Sequence, residues 1–314
     1  MSAIQNLVAL FSGVCLPIVV VAGAGWAIDR KFRLDLDSLV KLNLYLLVPA
    51  FIFVRVYSSD LAGPTAMRVV AFTLVMIAVM FGASLLAARL VGASRAERKA
   101  MNLATMFYNC GNYGIPLVTL AFGEFGQSIQ VYVLLTMNVS TFSVGLLLAA
   151  GEGAPWEGGG HRLRRWLPVL RQPSIHAIVL ALVLRQFPFD LTAIPFLWQP
   201  AEMVASALVA FALVTLGVQL SHTSPPAIRG RLGWALGIRL LVAPAVAAPL
   251  ALFVFGFGPE IAPVLIAGTA VPTAVNTALI AHEFNADTRF AVAAVFYSTV
   301  FSLVSVTVVL ALVT

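Results

Sequence analysis

The sequence predicts an all-α integral membrane protein of ten transmembrane helices, arranged as two inverted five-helix repeats, and three observations carry that prediction. Apolar residues make up 61% of the 314 and charged residues 10%, with a mean hydropathy of +0.97, whereas a soluble domain is roughly half apolar and a quarter charged. The apolar residues fall into runs long enough to cross a bilayer. The basic residues between those runs are confined almost entirely to alternate loops.

Taken in order, runs bounded by charge and turn clusters place spans at about 5–27, 38–57, 65–88, 99–122, 128–150, 173–187, 199–220, 231–255, 261–283 and 288–313. The stretches 7–27, 67–88, 131–150 and 290–313 are nearly free of charge. Each has the ~20 residues that a hydrocarbon core of about 30 Å requires. The first run follows Met1-Ser2-Ala3-Ile4-Gln5-Asn6 with no basic segment and no small-residue cleavage pattern, so it reads as a span and not as a signal peptide. The sixth run is short, with Arg185 near its end.

With ten spans the loops alternate sides. One set holds fourteen basic residues, at positions 30, 31, 33, 89, 95, 98, 99, 162, 164, 165, 171, 229, 231 and 289; the other holds Arg55, Arg68 and Arg185, while Lys41 and Arg239 lie within spans. Positive residues collect on the cytoplasmic side, so the first set faces inward and both termini face outward, in a multi-pass protein of the cell membrane. The +6 net charge is thereby explained by topology. No basic tail or aromatic-basic interleaving points to nucleic acid.

Five spans precede the loop at 151–172 and five follow it, so residues 1–150 and 173–314 enter the membrane from opposite sides, joined by a cytoplasmic linker containing Gly158-Gly159-Gly160. Traces of duplication accompany this division. Pro17 matches Pro173, Asp35-Leu36 matches Asp190-Leu191, Asn112 matches Pro272 and Glu124-Phe125 matches Glu283-Phe284, all at nearly constant offset.

The fourth and ninth spans are broken at equivalent places. One reads Tyr108-Asn109-Cys110-Gly111-Asn112-Tyr113-Gly114-Ile115-Pro116 and the other Ala270-Val271-Pro272-Thr273-Ala274-Val275-Asn276-Thr277. An interior proline costs a helix about 3 kcal/mol and a glycine about 1 kcal/mol. In hydrocarbon the freed backbone groups survive only where protein or a watery cavity partners them. Paired interruptions in corresponding spans are the sequence mark of a transporter site. Each resumed half-helix, for which Pro116 suits the first position, presents unpaired N–H groups and a partial positive charge worth about 0.3–1 kcal/mol toward an anion. With hydrogen bonds from Asn112 and Asn276 at about 1 kcal/mol each, the sum is a releasable site of roughly millimolar affinity. Asn109, Gly111, Asn112, Pro116, Pro272, Thr273 and Asn276 are therefore the candidate binding residues. The competing reading makes the asparagines interhelical glue and the prolines kinks.

Other polar residues within spans leave alternatives open. Asn43, Tyr45 and Pro49 in the second span, and Gln219 with Thr215 and Gly217 in the seventh, either border the site or pack beside a kink. Arg239 is expected to snorkel to the cytoplasmic surface, and Asp29 to be solvated. His282 and Glu283 form either a solvated boundary or a proton-coupling pair. No carboxylate lies at the centre of a span, which disfavours an acidic cation site. The four histidines are scattered, and Cys15 and Cys110 are far apart within apolar runs, so a membrane enzyme, a metal centre, a disulfide framework and a cofactor are not expected.

At these residues the chain resembles the auxin efflux carrier family. The resemblance rests on Asn43 with Pro49, the segment 109–116, the run Gly217-Val218-Gln219-Leu220, Arg239 followed by Pro244, and the stretch from Val271 through Asn276 to Phe284-Asn285-Ala286-Asp287. It implies crossed broken helices 4 and 9, and a scaffold of spans 1, 2, 6 and 7. The other six spans would form a transport unit moving as an elevator, often in a homodimer. The family's crossover asparagines and prolines fall on Asn112, Pro116, Pro272 and Asn276, and its substrate is typically a carboxylate. The long central loop of the plant exporters is lacking, and the compact form is similar to a bacterial inner-membrane permease. The expectation is a secondary active transporter of a small organic anion, with a passive channel or a non-transporting receptor as the alternative. A proton, a sodium ion or no coupling ion all fit an uncharged crossover.

Overall fold

The computed structural model describes residues 3–59, 61, 63–150, 171–223 and 230–314. Within them the chain is helical, with one isolated β-bridge and no strand. We number the helices α1 (Ile4–Phe32), α2 (Leu36–Tyr57), α3 (Gly63–Leu90), α4 (Arg95–Met106), α5 (Gly114–Ala150), α6 (Pro173–Leu184), α7 (Pro195–Ser221), α8 (Gly230–Val254), α9 (Ala262–Thr269), α10 (Asn276–Glu283) and α11 (Thr288–Val313). Seven of these, α1, α2, α3, α5, α7, α8 and α11, are long and apolar enough to cross a membrane.

The three remaining expected spans are the short or interrupted ones. The sixth appears as α6, of 12 residues. The fourth is split into α4 and the start of α5, and the ninth into α9 and α10. Gly123, at φ 61° and ψ −151°, breaks α5 at a backbone conformation open only to glycine. The expected linker at 151–172, apart from Arg171 and Gln172, lies outside the described residues, as does Arg229.

The helices sort into two packed groups. In one, α1 lies against α7, and α2 against α6 and α7. A Cβ added to Gly25 would collide with the backbone of Val214, and one added to Gly217 with the backbone of Ala22. Glycines at this contact let the two backbones touch, which is how helices associate where no hydrophobic force drives them together. The close approach also corrects the expectation for Asp29. It is 5% exposed, accepting from Leu34 N–H at 2.9 Å and from Ser221 Oγ, with His222 Nε2 at 3.2 Å. The end of α7 covers it.

The second group joins α3, α4, α5, α8, α9, α10 and α11. Contacts between the groups are sparser, made chiefly by α5 and α11 against α1, α2 and α7. Five-residue π-helical turns at Phe11–Cys15, Asn43–Leu47 and Ile238–Val242 end two residues before Pro17, Pro49 and Pro244. The wider turn accommodates the missing proline N–H and the ring's clash with the preceding turn. Two of these turns carry Asn43 and Arg239 into the interior.

Candidate functional site

The two interruptions meet. Asn109 N–H donates to Pro272 O at 2.8 Å and Ala274 N–H to Phe107 O at 3.0 Å, so Tyr108 and Thr273 face each other in an antiparallel bridge. The backbone groups freed by each break are thus satisfied largely by the other, as a buried break demands. Side chains complete the accounting. Thr273 Oγ1 donates to Ala104 O at 2.9 Å, near the open end of α4, and Thr273 N–H donates to Ser298 Oγ at 3.0 Å. Gln130 Nε2 donates to Cys110 O at 2.8 Å. Gly114 N–H donates to Asn109 O at 2.8 Å, and a Cβ on Gly114 would press on the Gln130 amide at 2.7 Å.

Beside this crossing lies a cavity of ≈ 80 Å³, bordered by Val40, Asn43, Leu44 and Val48 of α2, the loop 108–112, Leu134, Met137, Asn138 and Thr141 of α5, Gln219 of α7, and residues 274–276. It has room for several water-sized groups. Six carboxamides, Asn43, Asn109, Asn112, Asn138, Gln219 and Asn276, line it, and no charged side chain does. Asn43 Nδ2 donates to Asn112 Oδ1 at 2.8 Å, linking α2 to the broken segment. Buried Asn109 Nδ2, Asn43 Oδ1 and Gln219 Oε1 have no hydrogen-bond partner among the described residues. A buried polar atom left so costs about 1–3 kcal/mol, and three around one cavity mark a place where protein hydrogen-bonding capacity is held for something else.

The loop 109–112 leads into α5 at Gly114, and residues 274–276 lead into α10 at Asn276. The cavity therefore sits at two helix N-termini. Their first N–H groups are largely taken by preceding carbonyls, Gly114 and Ile115 by Asn109 and Gly111 and Thr277 by Ala274. Each is the positive end of its helix dipole, equivalent to about half a positive charge. Neutral amides and two positive helix ends suit a small anion.

Of the predicted binding residues, Asn109, Gly111, Asn112 and Asn276 border this cavity, together with Asn43 and Gln219. Pro272 and Thr273 lie behind it and hold the crossing together. Pro116 is the third residue of α5 and not the first; a first-turn N–H has no intrahelical partner, so proline is accommodated there as well. Tyr45 is 68% exposed and away from the cavity, because it lies two residues from inward-facing Asn43 and so on the opposite side of the helix. Pro49 lies two residues beyond the π turn Asn43–Leu47 and does not border the cavity. His282 and Glu283 are exposed at the end of α10. Asn138 and Thr141 were not anticipated. Asn138 carries the signal used for Asn112, an amide within an apolar run.

Arg239 overturns the snorkelling expectation. It is 1% exposed, donating from Nη1 to Thr105 O at 3.0 Å and from Nη2 to Thr269 O, with its guanidinium 4.8 Å from the centre of the Tyr108 ring. The ends of α4 and α9 offer it partners that the membrane surface would not. A larger hollow of ≈ 1190 Å³ between α8, α9 and α11 has Ser305 as the one polar residue in its lining, and nothing there could hold an anion.

Residues 163–310 match the family described as membrane transport protein. An uncharacterized transporter of Methanothermobacter thermautotrophicus is 24% identical over 274 residues, 86% of this chain and 87% of the relative. An uncharacterized transporter of Methanocaldococcus jannaschii is 26% identical over 273 residues, 83% of this chain and 84% of the relative. In agreement with the resemblance carried by its interrupted spans, the second half of the chain is similar to this membrane transport protein family, and most of the chain is similar to two proteins named as transporters.

Proposed function

We propose that the protein is a secondary active transporter that carries a small organic carboxylate across the cell membrane by an elevator-like alternation of the crossover site. The single observation that carries this reading is the cavity at the crossing, where two helix N-termini and six neutral carboxamides converge without a fixed charge. An uncompensated cation there would bind the anion too firmly to release it. Partial charges and amides hold it weakly, and a carrier must let go.

The finer architecture goes with this reading. Ten spans, as two inverted halves with both termini outside, account for the split helices, and the antiparallel sense of the Tyr108 to Thr273 pairing is what inverted partners would produce. Asp35 and Asp190, matched by the repeat, each accept N–H bonds at the start of the following helical turn. The two packed groups supply a scaffold of α1, α2, α6 and α7 and a unit of the remaining helices that could slide past it. Asn43 to Asn112 is then a contact across the sliding boundary.

Uptake of labelled carboxylates into proteoliposomes tests the proposal. Saturable uptake that shows counterflow, and falls at least tenfold in Asn112→Ala and Asn276→Ala with both variants folded, is the expected result. Full activity in both variants, or non-saturable flux, would exclude the crossover as a carrier site.

A further inference from the structure

Arg239 is a fully buried cation with no carboxylate within ion-pair distance among the described residues. A bare charge in that position is far too costly to leave uncompensated. Its compensation is visible in the two acceptors it takes. Thr105 O belongs to the last turn of α4 and Thr269 O to the last residue of α9. Each helix C-terminus carries the equivalent of about half a negative charge, so two of them together balance one guanidinium. The Tyr108 ring face adds a third favourable surface. The crossing thereby sorts its four helix ends. The N-termini of α5 and α10 adjoin the cavity, and the C-termini of α4 and α9 adjoin Arg239.

In transporters with broken helices, half-helix C-termini and unwound carbonyls are where a coupling cation is coordinated. Here those carbonyls are spent on a covalently attached cation, delivered from α8 by the π turn before Pro244. A sodium ion arriving at Thr105 O and Thr269 O would displace the guanidinium or sit beside a like charge. We infer that Arg239 is a resident counter-cation that occupies the crossover's cation position permanently, so that transport needs no sodium ion there. Arg239 is a positioning residue: it touches both half-helices and does not border the anion cavity. The inference rests on the carrier reading of the chain and extends it to coupling.

The test has two arms. In proteoliposomes of the wild-type protein, replacing sodium by choline at fixed ionic strength changes carboxylate uptake by less than twofold; a tenfold dependence on sodium would overturn the inference. In the second arm, thermal stability of detergent-purified Arg239→Ala is followed in sodium, choline and guanidinium chloride, the last at tens of millimolar. Destabilisation reversed by guanidinium beyond its effect on the wild type, and not by choline, is expected, whereas a purely packing role would leave the three salts equivalent. Equal response to the three salts overturns the inference, and Arg239→Lys, which keeps the charge, is expected to remain sodium-indifferent and fold if Arg239→Ala does not. An Arg239→Lys protein whose stability or uptake becomes sodium-dependent also overturns it. Because the stability arm needs no substrate, absence of wild-type uptake would count against the carboxylate reading alone.

Discussion

The α1–α7 contact and the crossing of the two breaks are both buried helix associations, yet opposite means hold them. At the first, two glycines remove side chains so that continuous backbones touch, and the energy is dispersion over a long smooth surface. At the second, helices are interrupted, and hydrogen bonds from Asn109, Thr273, Gln130 and Arg239 supply partners to carbonyls at the breaks. A smooth contact resists change anywhere along it. A bonded crossing keeps polar groups in the interior, and some of them remain unspent beside a cavity. On the proposed reading, the contrast accounts for a site on the second region and a fixed support on the first.

The contrast can be broken at points of decreasing cost. Gly217→Leu drives a side chain into the backbone of Ala22 and is expected to cost about 3 kcal/mol or more, read as loss of the monodisperse peak in size-exclusion chromatography. Survival of that peak would mean the α1–α7 contact is looser than described. Thr273→Val keeps the shape and removes the bond to Ala104 O. A loss of about 2 kcal/mol is expected, measured as a lower Tm. An unchanged Tm would deny the side chain its part in the crossing.

Smaller still is the link between α4 and α8. Arg231 Nη1 donates to both oxygens of Glu97 at 2.8 and 2.7 Å, and the Ser94 N–H adds a third bond at 2.9 Å. The Arg231 hydrogen bond, followed by those from Ser94, holds the Glu97 carboxyl down to about 2 from its ordinary 4.5. Its folded pKa is depressed, so its contribution is complete above about 4.5 and is lost as pH falls toward 2. Lying near the surface, the pair is worth at most about 1 kcal/mol. Glu97→Gln should therefore lower Tm slightly at pH 6 and match the wild type at pH 2, and a difference that grows on acidification would contradict the assignment. The smallest effect is expected from Tyr45→Ala, which should leave both stability and uptake unchanged.

Much of this could be read from the chain. Seven long apolar helices follow from charge-free runs, and the breaks follow from Asn, Gly and Pro within such runs, because a helix in an apolar setting has no cheaper use for those residues. The burial of Asp29 and Arg239 could not be read, since each depends on partners far away in sequence, Ser221 for one and Thr105 with Thr269 for the other. Tyr45 was misjudged for a local reason. Residues two apart lie on opposite faces of a helix, so with Asn43 turned inward Tyr45 must point outward. Asn138 was legible but overlooked, a single amide without a neighbouring breaker.

Ligand-induced stabilisation of the purified protein tests the central claim most directly. Tm would be recorded against a panel of small carboxylates and their uncharged amides, for wild type, Asn109→Ala and Asn276→Ala. The account predicts that at least one carboxylate raises the wild-type Tm while its amide does not, and that both variants lose the shift. Equal shifts in all three proteins, or no preference for the charged ligand, would contradict it.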